Sequence, residues 1–107
     1  MYLNGYDETM FKIKQTETFT TWFADLRDAK AKARIIMRMD RARAGNLGDV
    51  KSVGAGVSEM RVDVGPGYRI YYARRDKTIL LLLCGGDKST QSRDIKRAIA
   101  LAQETKS

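Results

Sequence analysis

The sequence predicts an α+β domain: a short strand, a helical hairpin, an antiparallel meander and a closing helix, in the order β-α-α-β-β-β-α. Three observations carry that reading. Apolar residues recur at helical spacing from Phe19 to Leu26 and again from Ala29 to Met37. Past Gly56 the period drops to two. Residues Thr78 to Cys84 are then apolar without alternation, as in a central strand covered on both faces.

Each element follows from its residues. Phe11-Lys12-Ile13-Lys14 alternates apolar and polar and reads as a short strand. Thr16 or Thr18 can cap a helix, because a threonine oxygen satisfies a free N–H in the first turn. Phe19, Trp22, Phe23 and Leu26 then form one apolar stripe at i, i+3, i+4 and i+7. A second helix is expected from Asp28 to Ala44, with Ala29, Ala33, Ile36 and Met37 on its buried side and Gly45 ending it. The break at Arg27-Asp28 joins the two as an αα-hairpin. Met60, Val62 and Val64 alternate with Glu59, Arg61 and Asp63, giving one apolar and one charged face. Gly65-Pro66-Gly67 turns the chain into a returning strand, Tyr68 to Ala73. After the polar break Arg75-Asp76-Lys77 comes the apolar strand, which Gly85-Gly86 is expected to end. The last helix starts near Ser89 or Thr90 and buries Ile95, Ala98, Ile99 and Ala102.

Composition narrows the functional classes. A chain of 107 residues makes one domain. Hydrophobic residues at 43% and charged residues at 31% are ordinary globular usage, which argues against disorder. The longest apolar run is strand-sized, so no membrane span or membrane partner is expected, and a soluble cytoplasmic location is. With no histidine and one cysteine, Cys84, the chain cannot form an internal disulfide, a zinc site or a His-based triad. No metal or cofactor is therefore expected. The net charge of +7 favours polyanionic partners, nucleic acid or an acidic protein.

Three constellations carry candidate chemistry. Arg27 to Lys51 holds eight basic residues against three aspartates, either a solvated helix face or a phosphate-binding surface using Arg38, Arg41 and Lys51. On the meander, Arg61 shares its face with Glu59 and Asp63, while Arg69 and Tyr71 lie opposite Tyr68, Ile70 and Tyr72. If those faces pair, two guanidinium groups and a phenol project together; the plainer reading is a ladder in which Glu59 or Asp63 neutralises Arg69. In either case Arg69 is expected to point away from the core. Lys88, after Gly85-Gly86, stands where a helix N-terminus presents N–H groups to an anion, although the segment is not a Walker P-loop. Trp22, Phe23 and Cys84 read as core.

Several segments in order resemble one known family: Thr18 to Leu26 (TFTTWFADL), Gly45 to Lys51 (GNLGDVK), Gly56 to Arg61 (GVSEMR), Gly65 to Tyr72 (GPGYRIYY) and Leu81 to Ile95 (LLLCGGDKSTQSRDI). They resemble the RelE/ParE superfamily of type II toxins, and within it the HigB-like branch of addiction-module killer or phage-derived Gp49-like proteins. The likeness covers about Met10 to Ala102, leaving residues 1–9 as an N-terminal extension or Met10 as an alternative start, and 10–107 as the domain.

The resemblance implies a RelE-like toxin held inactive by an antitoxin, often a helix-turn-helix protein. RelE-like and HigB-like members cut mRNA on the ribosome; ParE-like members poison DNA gyrase without cutting RNA; a third outcome is a domain that only binds its antitoxin. By motif position Arg69 matches a functional arginine of RelE-like toxins, Lys88 a basic residue past the last core strand, and Arg61 approximately their basic strand residues. Two departures stand out: the histidines of some HigB toxins are absent, and Asp94 stands roughly where some RelE toxins have a reactive tyrosine. For metal-independent RNA cleavage, Arg61, Arg69 and Lys88 suit the stabilisation of charge on phosphorus. Lys51 or Lys88 suits the role of base, with Glu59 as a carboxylate alternative and Tyr71 as proton donor.

Overall fold

In the computed structural model, which describes residues 10–105, the order is β1 (Lys12–Gln15), α1 (Glu17–Asp25), α2 (Ala29–Arg43), β2 (Val50–Gly54), β3 (Val57–Val62), β4 (Tyr68–Arg75), β5 (Ile79–Asp87), a single 3-10 turn (Lys88–Thr90) and α3 (Gln91–Glu104). The extension read at residues 1–9 lies outside the described residues. The α+β class holds, with a five-stranded sheet in the order β1-β5-β4-β3-β2. All neighbours are antiparallel except β1 and β5, which run parallel.

The meander has one more strand than expected. Val50–Gly54 pairs antiparallel with β3 through Val50↔Met60 and Lys51↔Glu59, so four strands follow the helical hairpin. The turn between β2 and β3 needs only Ala55 and Gly56, both at positive φ (53° and 78°), as a tight two-residue hairpin requires.

The first helix starts at one of its two expected caps. Thr16 Oγ1 accepts from the Phe19 N–H at 3.0 Å and itself donates to the Leu83 carbonyl at 2.6 Å, so the cap also fixes α1 to the sheet. Asp28 Oδ1 accepts from the Ala31 N–H and caps α2, and Gly45 leaves the helix at φ 93°. The buried stripe of α2 is Ala31, Ile35, Met39 and Ala42, a different face from the one expected. Ala29 and Ala33 are exposed, as are Ile36 (51%) and Met37 (47%).

Two apolar cores sandwich the sheet. The first lies under the helical hairpin, where Phe19, Ile35 and Met39 meet Met60, Val62, Tyr68, Ile70, Tyr72, Leu80 and Leu82. The second lies under α3, where Ala98 and Ala102 meet Val57, Tyr71, Ala73, Leu83 and Cys84. Opposite Tyr71 and Tyr72 the register jumps from Cys84 to Leu82. This bulge turns the adjacent residues Leu83 and Cys84 toward the same core. The strand does not stop at Gly85-Gly86; it stays paired with β4 as far as Asp87, so both glycines lie inside the sheet. A Cβ on Gly85 would lie 2.4 Å from Trp22 Cε3 on one face, and one on Gly86 would lie 1.9 Å from Asp94 Oδ2 on the other.

Candidate functional site: an arginine pair beneath a helix N-terminus

The register of β3 and β4 brings the expected residues together. Arg61 is the direct cross-strand partner of Arg69, and Glu59 of Tyr71; in the next strands Lys51 pairs with Glu59, and Gly86 with Arg69. Direct partners share a face, so Lys51, Glu59, Arg61, Arg69 and Tyr71 all lie on the side of the sheet that α3 covers. Lys88 follows β5 at the end of the sheet that carries the arginines, with its Cβ near the Gly67 turn, and its side chain is exposed.

That face is not an open charged surface. Glu59 is 1% exposed. Its Oε2 stands 3.3 Å from Arg61 Nε and 3.9 Å from Arg69 Nε, while its Oε1 accepts from Gln91 Nε2 at 2.9 Å. The ladder reading therefore holds for Glu59, which faces both arginines, while exposed Asp63 forms no ion pair among the described residues. The Arg69 side chain retains only 13% of its exposure and Arg61 35%, so Arg69 is not the freely exposed residue that strand alternation suggested. The reason is the first turn of α3, which roofs this end of the sheet. Both Nε atoms are buried without a hydrogen-bond partner among the described residues.

Tyr71 is wholly buried, and its hydroxyl finds no partner among the described residues. Burial, followed by the Glu59 and Asp94 carboxylates, pushes its phenol well above the ordinary tyrosine value, so it stays protonated. It forms the floor of the site and does not project into it. Cys84 stands across from Tyr71 on β5, where burial and the nearby Asp94 push its thiol up to about 11.

The three residues proposed as a nucleic-acid surface are separated. Arg41 is exposed on α2, across the sheet from the arginine pair. Arg38 donates to the Arg61 and Leu47 carbonyls and so acts as a strut between α2, the Leu47 loop and β3. Its guanidinium is held below its ordinary value, chiefly by burial. A Cβ on Gly48 would come within 2.8 Å of Arg38 Nη2, so the loop residue at this strut is a glycine for close approach as well as for its positive φ of 70°. Lys51 alone of the three sits on the site's face, exposed on the edge strand.

Sequence reasoning assigned no site role to Gln91 and read Asp94 only as a departure from a motif. Asp94 is 2% exposed, accepts from the Thr90 hydroxyl and packs against Gly86. The signal was the pairing of Gly86 with an acid on the following helix, where a side chain approaches backbone too closely for any Cβ.

An uncharacterized protein of Haemophilus influenzae is 50% identical over 93 residues, spanning 87% of this chain and 94% of that protein. Residues 21–107, which include every residue of the arginine site, match the model of the family described as phage derived protein Gp49-like (DUF891), and the chain belongs to that family.

Proposed function

We propose that this chain is the toxin of a two-gene toxin–antitoxin module and acts in the cytoplasm as a ribosome-dependent mRNA endonuclease with a RelE-like, HigB-like fold. One observation carries the reading: Arg61 and Arg69 are direct cross-strand partners at the end of the sheet from which Lys88 also emerges, beneath the N-terminus of α3. Cations fixed in this way, with a helix N-terminus beside them, suit a phosphodiester whose charge grows during reaction.

In the proposed reaction the ribose 2′-oxygen attacks phosphorus and gives up its proton. The bond to the 5′-oxygen breaks and that oxygen takes a proton, leaving a 2′,3′-cyclic phosphate and a 5′-hydroxyl. Arg61 and Arg69 stabilise the phosphorane, and Lys88 draws the chain in at the rim. Glu59 is poorly suited to be the base, because it is buried with Oε1 taken by Gln91 and Oε2 facing both arginines. Tyr71 is equally poorly suited as proton donor, being buried and held protonated. Exposed Lys51, on the same face, and exposed Lys88, at the rim, are the remaining candidates for proton transfer. The ribosome supplies most of the mRNA positioning, and the partner that silences the toxin is an antitoxin of the helix-turn-helix kind.

The test combines expression alone and with the neighbouring gene, toeprinting of ribosome-bound mRNA, and a gyrase supercoiling assay. The parent chain is expected to arrest growth, to be relieved by its neighbour, and to cut mRNA while leaving supercoiling intact. Arg69→Ala should lower cleavage per folded molecule a hundredfold or more, consistent with the roughly 3 kcal/mol lost on removing one preorganised donor. Because the Arg69 side chain is largely buried beside Glu59, the same variant should also lose about 1 kcal/mol of stability, so melts accompany every rate. Arg69→Lys keeps the charge and should recover part of the rate. Inhibition of supercoiling without cleavage would replace the nuclease with a gyrase poison, and antitoxin binding with neither activity would leave only a binding domain.

A further inference from the structure

We propose that Gln91 and Glu59 form a positioning pair that aims the two arginines at a single phosphodiester; the inference rests on the phosphodiester reading of the site. A carboxylate at 1% exposure is costly unless its oxygens are engaged. Glu59 meets that demand in two directions. Gln91, in the first turn of α3, fixes Oε1 at 2.9 Å, which leaves Oε2 turned toward Arg61 Nε at 3.3 Å and Arg69 Nε at 3.9 Å.

A guanidinium is planar, so holding its Nε edge inward leaves the terminal Nη edge to face the ligand. Among the described residues no hydrogen bond engages those Nη donors, and of the side-chain nitrogens of Arg61 and Arg69 only the Nε atoms are buried without a partner. At 3.3 and 3.9 Å the hold on Nε is mainly electrostatic, too long for good hydrogen bonds, so its strength depends on where the carboxylate stands. Gln91 sets that position without consuming charge, since an amide is a neutral donor. The trio of Arg61, Arg69 and Glu59 then carries 2 − 1 = +1, matched to the single charge of an internal phosphodiester and short of that of a terminal phosphate dianion. Gln91 thus links the seating of α3 to the aim of residues on β3 and β4, across 32 residues of chain.

The experiment uses the full chain labelled with 15N-arginine, so that the Nε–H signals of Arg61 and Arg69 report their surroundings directly. The ligand probe is a 2′-O-methyl RNA tetranucleotide, which presents phosphodiesters but lacks the nucleophile. In Gln91→Leu both Nε–H signals are expected to shift toward free arginine and exchange faster with solvent, with RNA affinity falling about tenfold. Gln91→Asn, one methylene too short to reach Glu59, keeps a polar helix start and should behave alike, covering the case in which leucine impairs folding. Unmoved Nε–H signals in a folded Gln91 variant would overturn the pair, as would moved signals with unchanged RNA affinity. Failure of the parent chain to bind the probe would overturn the phosphodiester reading, while the Nε–H signals would still decide whether Gln91 and Glu59 hold the arginines.

Discussion

Gly85 and Gly86 show what a single residue controls in this fold. Neither has the positive φ that reserves a position for glycine; what each supplies is room, one for the Trp22 ring and the other for the Asp94 carboxylate. In the sequence a Gly-Gly pair after an apolar run reads as the end of a strand, because the side chains that need the space come from helices 63 and 8 residues away in the chain. Gly86→Ala should push Asp94 off its seat, break its bond from the Thr90 hydroxyl and tilt the first turn of α3. The expected cost is about 1–3 kcal/mol, the range for overpacking a tight site. Urea melts of the variant would measure it, and a midpoint unchanged from the parent would mean that Asp94 is free to move. The same logic explains how much of the site was legible. Period-two alternation placed Glu59 and Arg61 on one face, and Arg69 and Tyr71 on one face, and the register matched the two. Alternation cannot report what covers a face, so the burial of Glu59 and Tyr71, and the contribution of Gln91, required α3 in place.

At the scale of elements, α2 and β2 were the hardest to read, for different reasons. The helix carries two candidate stripes. Ile36 and Met37, with Ala29 and Ala33, are the more obvious, while the stripe that packs, Ala31-Ile35-Met39-Ala42, is bordered by Arg38. Arg38 can border it because its guanidinium reaches past the core to two backbone carbonyls, so a charged residue beside the buried stripe was the clue and not the exception. Ile35→Ala should therefore cost about 2–5 kcal/mol. Ile36→Ser, one residue on, should change stability by no more than about 0.5 kcal/mol. Chemical denaturation of both variants checks the assignment, and equal losses would contradict the observed face. Strand β2 offers only Val50 and Val53 as inward residues between glycine-rich turns, too little for a periodic signal. It forms because β3 presents a free edge one tight hairpin away.

The whole molecule is a sheet with a core on each face, and this arrangement determines how it responds to pH. Burial holds four acids of the two cores in their neutral forms: the Tyr68 and Tyr72 phenols beneath the helical hairpin, and the Tyr71 phenol and Cys84 thiol beneath α3. In the unfolded chain the thiol ionises near its ordinary 9.0; in the folded chain it does so only at about 11. Between those values the unfolded state has released a proton that the native state retains, so stability falls as pH rises, and it is fully present below about 9. The chain's net charge works in the opposite direction, because +7 at neutral pH declines toward zero near the isoelectric point of about 9.8 and relieves self-repulsion. Comparing the parent with Cys84→Ala separates the two, since the substitution removes the thiol and leaves the net charge at pH 7 unchanged. Cys84→Ala should be less stable than the parent at pH 7, where it leaves a small cavity, but should lose less on going from pH 8 to 11. The difference in the stability lost is expected to be on the order of 1 kcal/mol, with the tyrosines contributing further loss in both proteins as pH rises past 10. Denaturation midpoints across that range would show it. Parallel curves for the two proteins would mean that the thiol ionises as readily in the native state as in the unfolded chain, and that the core under α3 admits water.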